Sequence, residues 1–298
     1  MKELFELEWM GEAAEHHFRK ARPGILDLPW GTLKTDDYDP EVVVAARSTW
    51  TRSSLTEYRA IAGFTEILRA ATEAKVPLDI IGMASTFVAD EVVHVELASR
   101  MAMELGGGTG LETDLDHLFM RADPKLTAFE RANEMVLRVS CIAEAYSGKM
   151  AVKAYEGTAH PLTRAVLERI NADESLHYRL GGIYFDWAKE RLTDEERTRL
   201  AAIALECIKP YSLALPKPVD PTTPGRRKAT IDQIRDIGWV EARLYAGCVR
   251  DAIYKGIVDP LASYGIEVDR AALEPLFGPP STATEQGGRR GSRDPIVA

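Results

Sequence analysis

Asp90-Glu91-Val92-Val93-His94 and Asp173-Glu174-Ser175-Leu176-His177 decide how this chain reads. Each is Asp-Glu-x-x-His, and each sits midway along a long helical pattern. Residues three apart share a face of an α-helix, so the Glu and His of each stretch can grip one ion. The Asp four positions before each His lies on that side too, where it could orient the imidazole. A single Glu-x-x-His is weak evidence, because Glu is common. Here it claims two of six histidines, both times behind an Asp. The site looks built twice.

Four helical patterns surround these stretches. Asp39-Pro40-Glu41 reads as a helix start, an N-cap acid with proline at the first helical position. The pattern runs to Lys75 and stops at Pro77, with the stripe Val43, Arg47, Trp50, Ser54, Glu57, Ile61, Phe64 and Leu68. A second pattern over 78–105 has the stripe Ala84, Phe87, Glu91, His94, Ala98, Met101 and Leu105, ended by three glycines. A third opens at Asp123-Pro124 or at the Thr127-x-x-Glu130 capping box, with the stripe Leu137, Cys141, Glu144, Gly148, Ala151 and Tyr155. The fourth follows Gly157 and His160-Pro161, with the stripe Leu167, Ile170, Glu174, His177, Gly181, Tyr184 and Ala188.

The connections set the expected topology. Short links make helices one and two, and helices three and four, antiparallel pairs. Residues 106–126, with a helical turn expected around 115–120, could span roughly 70 Å, more than the roughly 40 Å of a helix this long. That is one long crossover between two helical hairpins, in an all-α chain. Residues 3–20 read as a short amphipathic helix with His16 and His17 on its surface, and 23–31 as an irregular segment draping Ile25, Leu26, Leu28 and Trp30 over the core. Beyond Arg191, Thr193-x-x-Glu196 opens a fifth helix to about Cys207. A Pro-rich strap over 209–228 follows, then a sixth helix from Thr230 to about Lys255, and short turns at Asp259 and Asp269. The expected divisions are 1–39, a helix and strap packed on the bundle; 40–191, the bundle; 192–277, a helical extension; and 278–298, a disordered tail. His160 reads as a loop or cap residue and His117 as a surface residue of the connection.

Glu57, Glu91, His94, Glu144, Glu174 and His177 fall one set per helix, in the order Glu, Glu-x-x-His, Glu, Glu-x-x-His. The interval from Glu57 to Glu91 is 34 residues and that from Glu144 to Glu174 is 30, as two related hairpins would give. For any one of the six, the simpler account is a polar residue at a stripe edge reaching water. Taken as a set, all six interrupt apolar stripes near helix centres. Four buried carboxylates would lose solvation and repel one another, at roughly several kcal/mol per ion. Two divalent cations remove that objection. Mixed oxygen and nitrogen ligands suit iron or manganese better than zinc.

This ordered set resembles the ferritin-like superfamily of dimetal-carboxylate proteins, over about residues 40–191. The resemblance implies a ferritin-like four-helix bundle with additional N- and C-terminal helices. It makes Glu57 and Glu144 the single carboxylate ligands and Glu91 with His94, and Glu174 with His177, the paired ones. One or more of the carboxylates would bridge the metals, with Asp90 and Asp173 holding the histidines. Oxygen-activating members use two ferrous ions to reduce dioxygen. Proteins like ribonucleotide reductase small subunits usually have Asp first and a tyrosine two turns past the second helix's Glu; this chain has Glu57 and Ala98. The p-aminobenzoate N-oxygenase type adds a His where this chain has Ile170, and rubrerythrins often carry a Cys-x-x-Cys module that is missing here. Ferritins are much shorter chains with fewer histidines.

What remains is a non-haem di-iron oxidase or oxygenase. It would use two iron ions (Fe/Fe, with Mn/Fe open), O2 as co-substrate and an external electron donor to hydroxylate, desaturate or N-oxygenate a small, partly apolar molecule. Ile61, Phe87, Cys141, Ile170 and Tyr184 lie one to three turns from ligands and are candidate pocket residues, with plain core packing the alternative for each. Tyr58, Tyr146 and Tyr178 point off the stripes and are given no redox role. Two other classes stay open: a ferroxidase or peroxide-scavenging protein, and a structural bundle with a vestigial site. A net charge of −9 argues against nucleic acid, tRNA-hydroxylating chemistry included, or an anionic membrane as partner. Three scattered cysteines, no signal-like N-terminus and no long apolar run point to a cytoplasmic chain, and a homodimer is compatible with it.

Overall fold

The computed structural model describes residues 2–114, 116, 118, 120–215, 228–240 and 242–280, and over them the chain is mostly helical. The N-terminus departs from the helix expected over 3–20. Lys2–Leu4 is a strand, β1, paired antiparallel with β2 (Glu112–Asp114) in the long connection, with Glu3 opposite Thr113. Only Glu12–Ala21 winds into a helix, α1. Gly11, at φ +81°, breaks the pattern, because that backbone state cannot lie inside a right-handed helix. The residues before it are mostly exposed, and the first of them, Lys2–Phe5, satisfy backbone groups by pairing with the 111–114 segment instead. His16 and His17 are exposed.

The first long helix, α2 (Pro40–Glu73), starts as its sequence dictates: Asp39 Oδ1 accepts the Glu41 N–H at 2.9 Å. It ends just short of Lys75, which takes φ +54°. A short turn leads into α3 (Leu78–Glu104). The Thr127–Glu130 capping box opens α4 (Ala128–Val136), Thr127 Oγ1 accepting from Glu130 N at 3.2 Å and Glu130 Oε2 from Thr127 N at 2.8 Å. The third helix is not α throughout. Leu137–Glu144 is a π-helical segment, and α5 (Ala145–Gly157) continues from it. Then His160 caps α6 (Pro161–Ala188), its Nδ1 accepting from Leu162 N at 3.3 Å.

Packing follows the two hairpins. α2 lies along α3, and the π-helical segment with α5 lies along α6; α3 against α6 and α2 against α4 join the pairs. The two Asp-Glu-x-x-His stretches therefore face each other across the α3–α6 contact. The core is split in two. One half holds Phe64, Phe87, Met135 and Leu180, the other Trp50, Val93, Leu97 and Ile170. On α2 the dividing level carries Glu57, on α3 Glu91 and His94, and on α6 Glu174 and His177. Burying an apolar side chain stabilises by about 1.5–3 kcal/mol. At this one level the helices forgo that gain together, which a fold does not do for packing.

Thr193 caps α7 (Asp194–Ile208), accepting from Glu196 N at 3.1 Å. The single sixth helix expected over 230–255 is instead α8 (Lys228–Asp236), α9 (Ala242–Asp251) and a π-helical segment, Ala252–Val258. The chain breaks at Gly238, φ +91°, where a Cβ would stand 3.0 Å from Trp50 Cζ2. Trp50 Nε1 donates to Ile237 O at 3.1 Å, so the segment turns there to seat on α2. The turns at Asp259 and Asp269 are α10 (Asp259–Ala262) and α11 (Arg270–Phe277). In the N-terminal strap Ile25 is buried while Leu26 stays exposed. Residues 216–227 of the Pro-rich strap, 281–298 of the tail, and Leu115, His117 and Phe119 of the connection lie outside the described residues. No helix among the described residues is long and apolar enough to cross a membrane.

Candidate metal centre

Glu91 and His94 on α3 and Glu174 and His177 on α6 are buried and offer ligand atoms that all lie within 4.8 Å of one another. His177 Nδ1 is 2.9 Å from Glu91 Oε1 and 3.8 Å from Glu174 Oε1. His94 Nδ1 is 3.3 Å from Glu174 Oε1 and 3.5 Å from Glu91 Oε2. Each carboxylate thus approaches both imidazoles, its own helix's and the facing one. Bonds of about 2.1 Å at right angles place neighbouring ligand atoms about 3.0 Å apart, and opposite ones about 4.2 Å. The four histidine–carboxylate spacings, 2.9, 3.3, 3.5 and 3.8 Å, lie close to or within that range. The cluster is compatible with metal binding.

Hydrogen bonding does not account for these atoms. Both Glu91 oxygens, Glu174 Oε2, His94 Nδ1 and both ring nitrogens of His177 are buried without a hydrogen-bond partner. Leaving a buried polar atom unpaired costs about 1–3 kcal/mol, more when it is charged. Such a concentration at one level of the bundle is compatible with donors that take a cation. The remaining two expected ligands come to the same place. Glu144, at the end of the π-helical segment, puts Oε2 3.8 Å from His177 Nδ1. Glu57 is half-buried as a residue, but its carboxyl turns inward against Glu91.

Five of these groups are shifted from their ordinary ionisation by burial and by one another. Burial, then the Glu91 charge, pushes Glu57 well above the usual carboxyl range; burial, then Glu174, does the same to Glu144. Burial would lower both histidines, yet the carboxylates around them prevail. Asp173, Glu174 and Glu91 hold His94 well above its ordinary value, and Asp90, Glu144 and Glu91 raise His177 to about 11. For Glu91 burial is the largest influence and acts upward, but His177 and His94 outweigh it and bring the carboxyl to about 2.

The two aspartates do lie against histidines, but not the ones in their own stretches, and Asp173 alone of the two hydrogen-bonds its histidine. Asp173 Oδ2 lies 3.3 Å from His94 Nε2, and Asp90 Oδ2 lies 3.6 Å from His177 Nε2. The pairing crosses between α3 and α6. An Asp four residues before a His on one helix is on its side but points along the same outward line, so the facing helix brings the better partner. The consequence is chemical: with Nε2 turned to an Asp, Nδ1 is the nitrogen left to face the cluster. Each Asp gives its other oxygen to an arginine. Asp173 Oδ1 takes Arg169 Nη1 at 2.6 Å, and Asp90 Oδ1 takes Arg22 Nε at 2.9 Å. Neither arginine was singled out from the sequence. Arg169 carries a readable signal, four residues before Asp173 on one helix. Arg22 carries none.

The candidate pocket residues divide. Phe87 is buried against the His177 ring, centroids 4.3 Å apart, with Phe64 at 5.1 Å from the same ring. Ile170 is packed in the core, and Ile61 is half-buried on α2. Tyr184 is fully buried and donates to Asn133 Oδ1 at 2.8 Å. There it joins a second buried network absent from the sequence reading, in which Glu196 accepts from Asn133 at 3.0 Å and Arg199 spans Glu196 and Glu134. Cys141 lines a groove of about 400 Å³ with Tyr178, Arg179, Ile183, Ile257 and Tyr264. Burial raises its thiol to about 12, so it is a neutral wall. Comparison with protein-family models, curated proteins and solved structures finds no match to this chain.

Proposed function

We propose that this chain is a dimetal-carboxylate oxidase or oxygenase with a ferritin-like four-helix bundle, using two iron ions and O2 to oxidise a small organic molecule. The observation that carries the reading is the buried, unpaired Glu91, His94, Glu174 and His177 set at 4.8 Å or less, with Glu144 and Glu57 brought to it. Glu91 and Glu174, each near both histidines, would hold the ions together with Nδ1 of His94 and of His177, and Glu57 and Glu144 would supply further carboxylates. When bound, a pair of ferrous ions supplies the two electrons that O2 activation needs, replenished by an external donor.

The chain's own residues do the rest. Asp173 orients the His94 imidazole through its hydrogen bond to Nε2, and Asp90, 3.6 Å from His177 Nε2, would orient the other by charge, so that each Nδ1 faces the cluster. Phe64 and Phe87 pack on His177 and keep water from that side. The groove at Cys141 is where we place the organic molecule: its volume suits a small ligand, its walls are largely apolar, and Cys141 shares the π-helical segment with Glu144. Stopped-flow mixing of the diferrous protein with O2 tests the reading. Faster O2 consumption with one member of a panel of small aromatic amines, phenols and fatty acids, with oxidised product formed, supports it. Turnover of Fe(II) or peroxide that no organic compound alters would instead identify a ferroxidase or peroxide scavenger.

A further inference from the structure

The two halves of the cluster are built alike up to one residue. On each side a histidine Nδ1 faces the cluster, its Nε2 faces an Asp of the opposite helix, and the second Asp oxygen faces an arginine. On the His94 side that arginine is Arg169, four residues from Asp173 on α6 itself. On the His177 side it is Arg22, at the C-terminal end of α1 and 68 residues away from Asp90 in the chain. Its guanidinium reaches α3 at two points one turn apart, Asp90 Oδ1 at 2.9 Å and Thr86 O at 3.1 Å. A second anchor, Arg19 to both oxygens of Glu96 at 2.5 and 2.6 Å, fixes α1 to the same helix without touching Asp90.

We propose that Arg22 is a positioning residue for the His177 half of the metal centre, so that the N-terminal segment completes one of two otherwise matching ion positions. The inference rests on the dimetal reading. A planar guanidinium holds a carboxylate in a fixed direction, as a flexible ammonium does not. With Oδ1 pinned by Arg22, Asp90 presents Oδ2 to His177, and the imidazole presents Nδ1 inward. The His94 half has its arginine within the bundle. The His177 half depends on a segment outside it, and its Asp–His contact is the longer of the two, 3.6 against 3.3 Å. The two ligand sets are therefore supported differently, and two ions bound there would be inequivalent.

The test is Mössbauer spectroscopy and equilibrium titration of the full chain loaded anaerobically with ferrous iron. Wild-type protein is expected to show two distinct ferrous signals in equal amounts. Arg22→Met should shift one signal and weaken that ion about 10- to 100-fold, as loss of a ligand-orienting partner does. Arg22→Lys, which keeps the charge but not the fork, should restore part of the affinity. Arg169→Met should move the other signal. Arg19→Met, which frees the neighbouring anchor and leaves Asp90 alone, should move neither. Unchanged signals in Arg22→Met, or the same change in Arg19→Met, would overturn the proposal while leaving the dimetal reading intact. A wild-type chain that takes up no iron would overturn both.

Discussion

At 2.9 Å, a carboxylate oxygen and an imidazole lone pair repel unless a proton or a cation lies between them, and Glu91 with His177 is such a pair. Without a cation, burial and the neighbouring charges would make Glu57, Glu144, His94 and His177 hold their protons more tightly than usual. Ligands must shed protons to bind a metal, so uptake releases protons and acid competes with the ion. Affinity should rise with pH between about pH 6 and about pH 8, with proton release detected by an indicator dye. Affinity flat across that span would contradict the assignment of these groups as ligands. The linkage for the ion-free fold has its own sign. His177, raised to about 11, contributes stability that is complete below its unfolded value near 6.5 and is lost as pH climbs through about 11. The six expected ligands were legible because each interrupts an apolar stripe. The crossed Asp pairing and Arg22 were not, because local periodicity says nothing about which side chain a facing helix or a distant strap will supply.

Among the elements, the third helix shows what stripes conceal. Its capping box and apolar spacing were readable, and the helix begins where they say. The π-helical segment Leu137–Glu144 was not, since one wider turn barely disturbs the stripe. Its effect is to swing Cys141 and Glu144 relative to α6, and Cys141 comes so close that only glycine fits opposite. A Cβ at Gly181 would stand 2.5 Å from Cys141 Sγ. Gly181→Ala should therefore destabilise the protein by about 1–3 kcal/mol in chemical unfolding. Adding Cys141→Ala should recover much of that loss, because the sulfur is the atom in the way. A Gly181→Ala protein as stable as wild type would show that the helices do not approach as described. The break at Gly238 is a related case: its positive φ and its contact with Trp50 come from tertiary seating, and the helical pattern across 230–255 gave no warning.

Over the whole molecule, the decisive feature is where the apolar core stops. Two separate clusters of buried side chains meet at a polar level that runs through α2, α3, α6 and the π-helical segment. The all-α architecture and the hairpin order could be read from connection lengths. The strand pairing of the N-terminus could not, because its partner lies in the connection more than 100 residues on. A protein that interrupts its core on every long helix at one height gives up stability unless something binds there. The most direct test of that claim is metal analysis of the full chain purified from iron-supplemented cells. Wild-type protein should carry about two iron ions per chain, with most of the metal lost in both Glu91→Ala and His177→Ala. Iron far below that level in wild type, or the same content in the two variants, would contradict it.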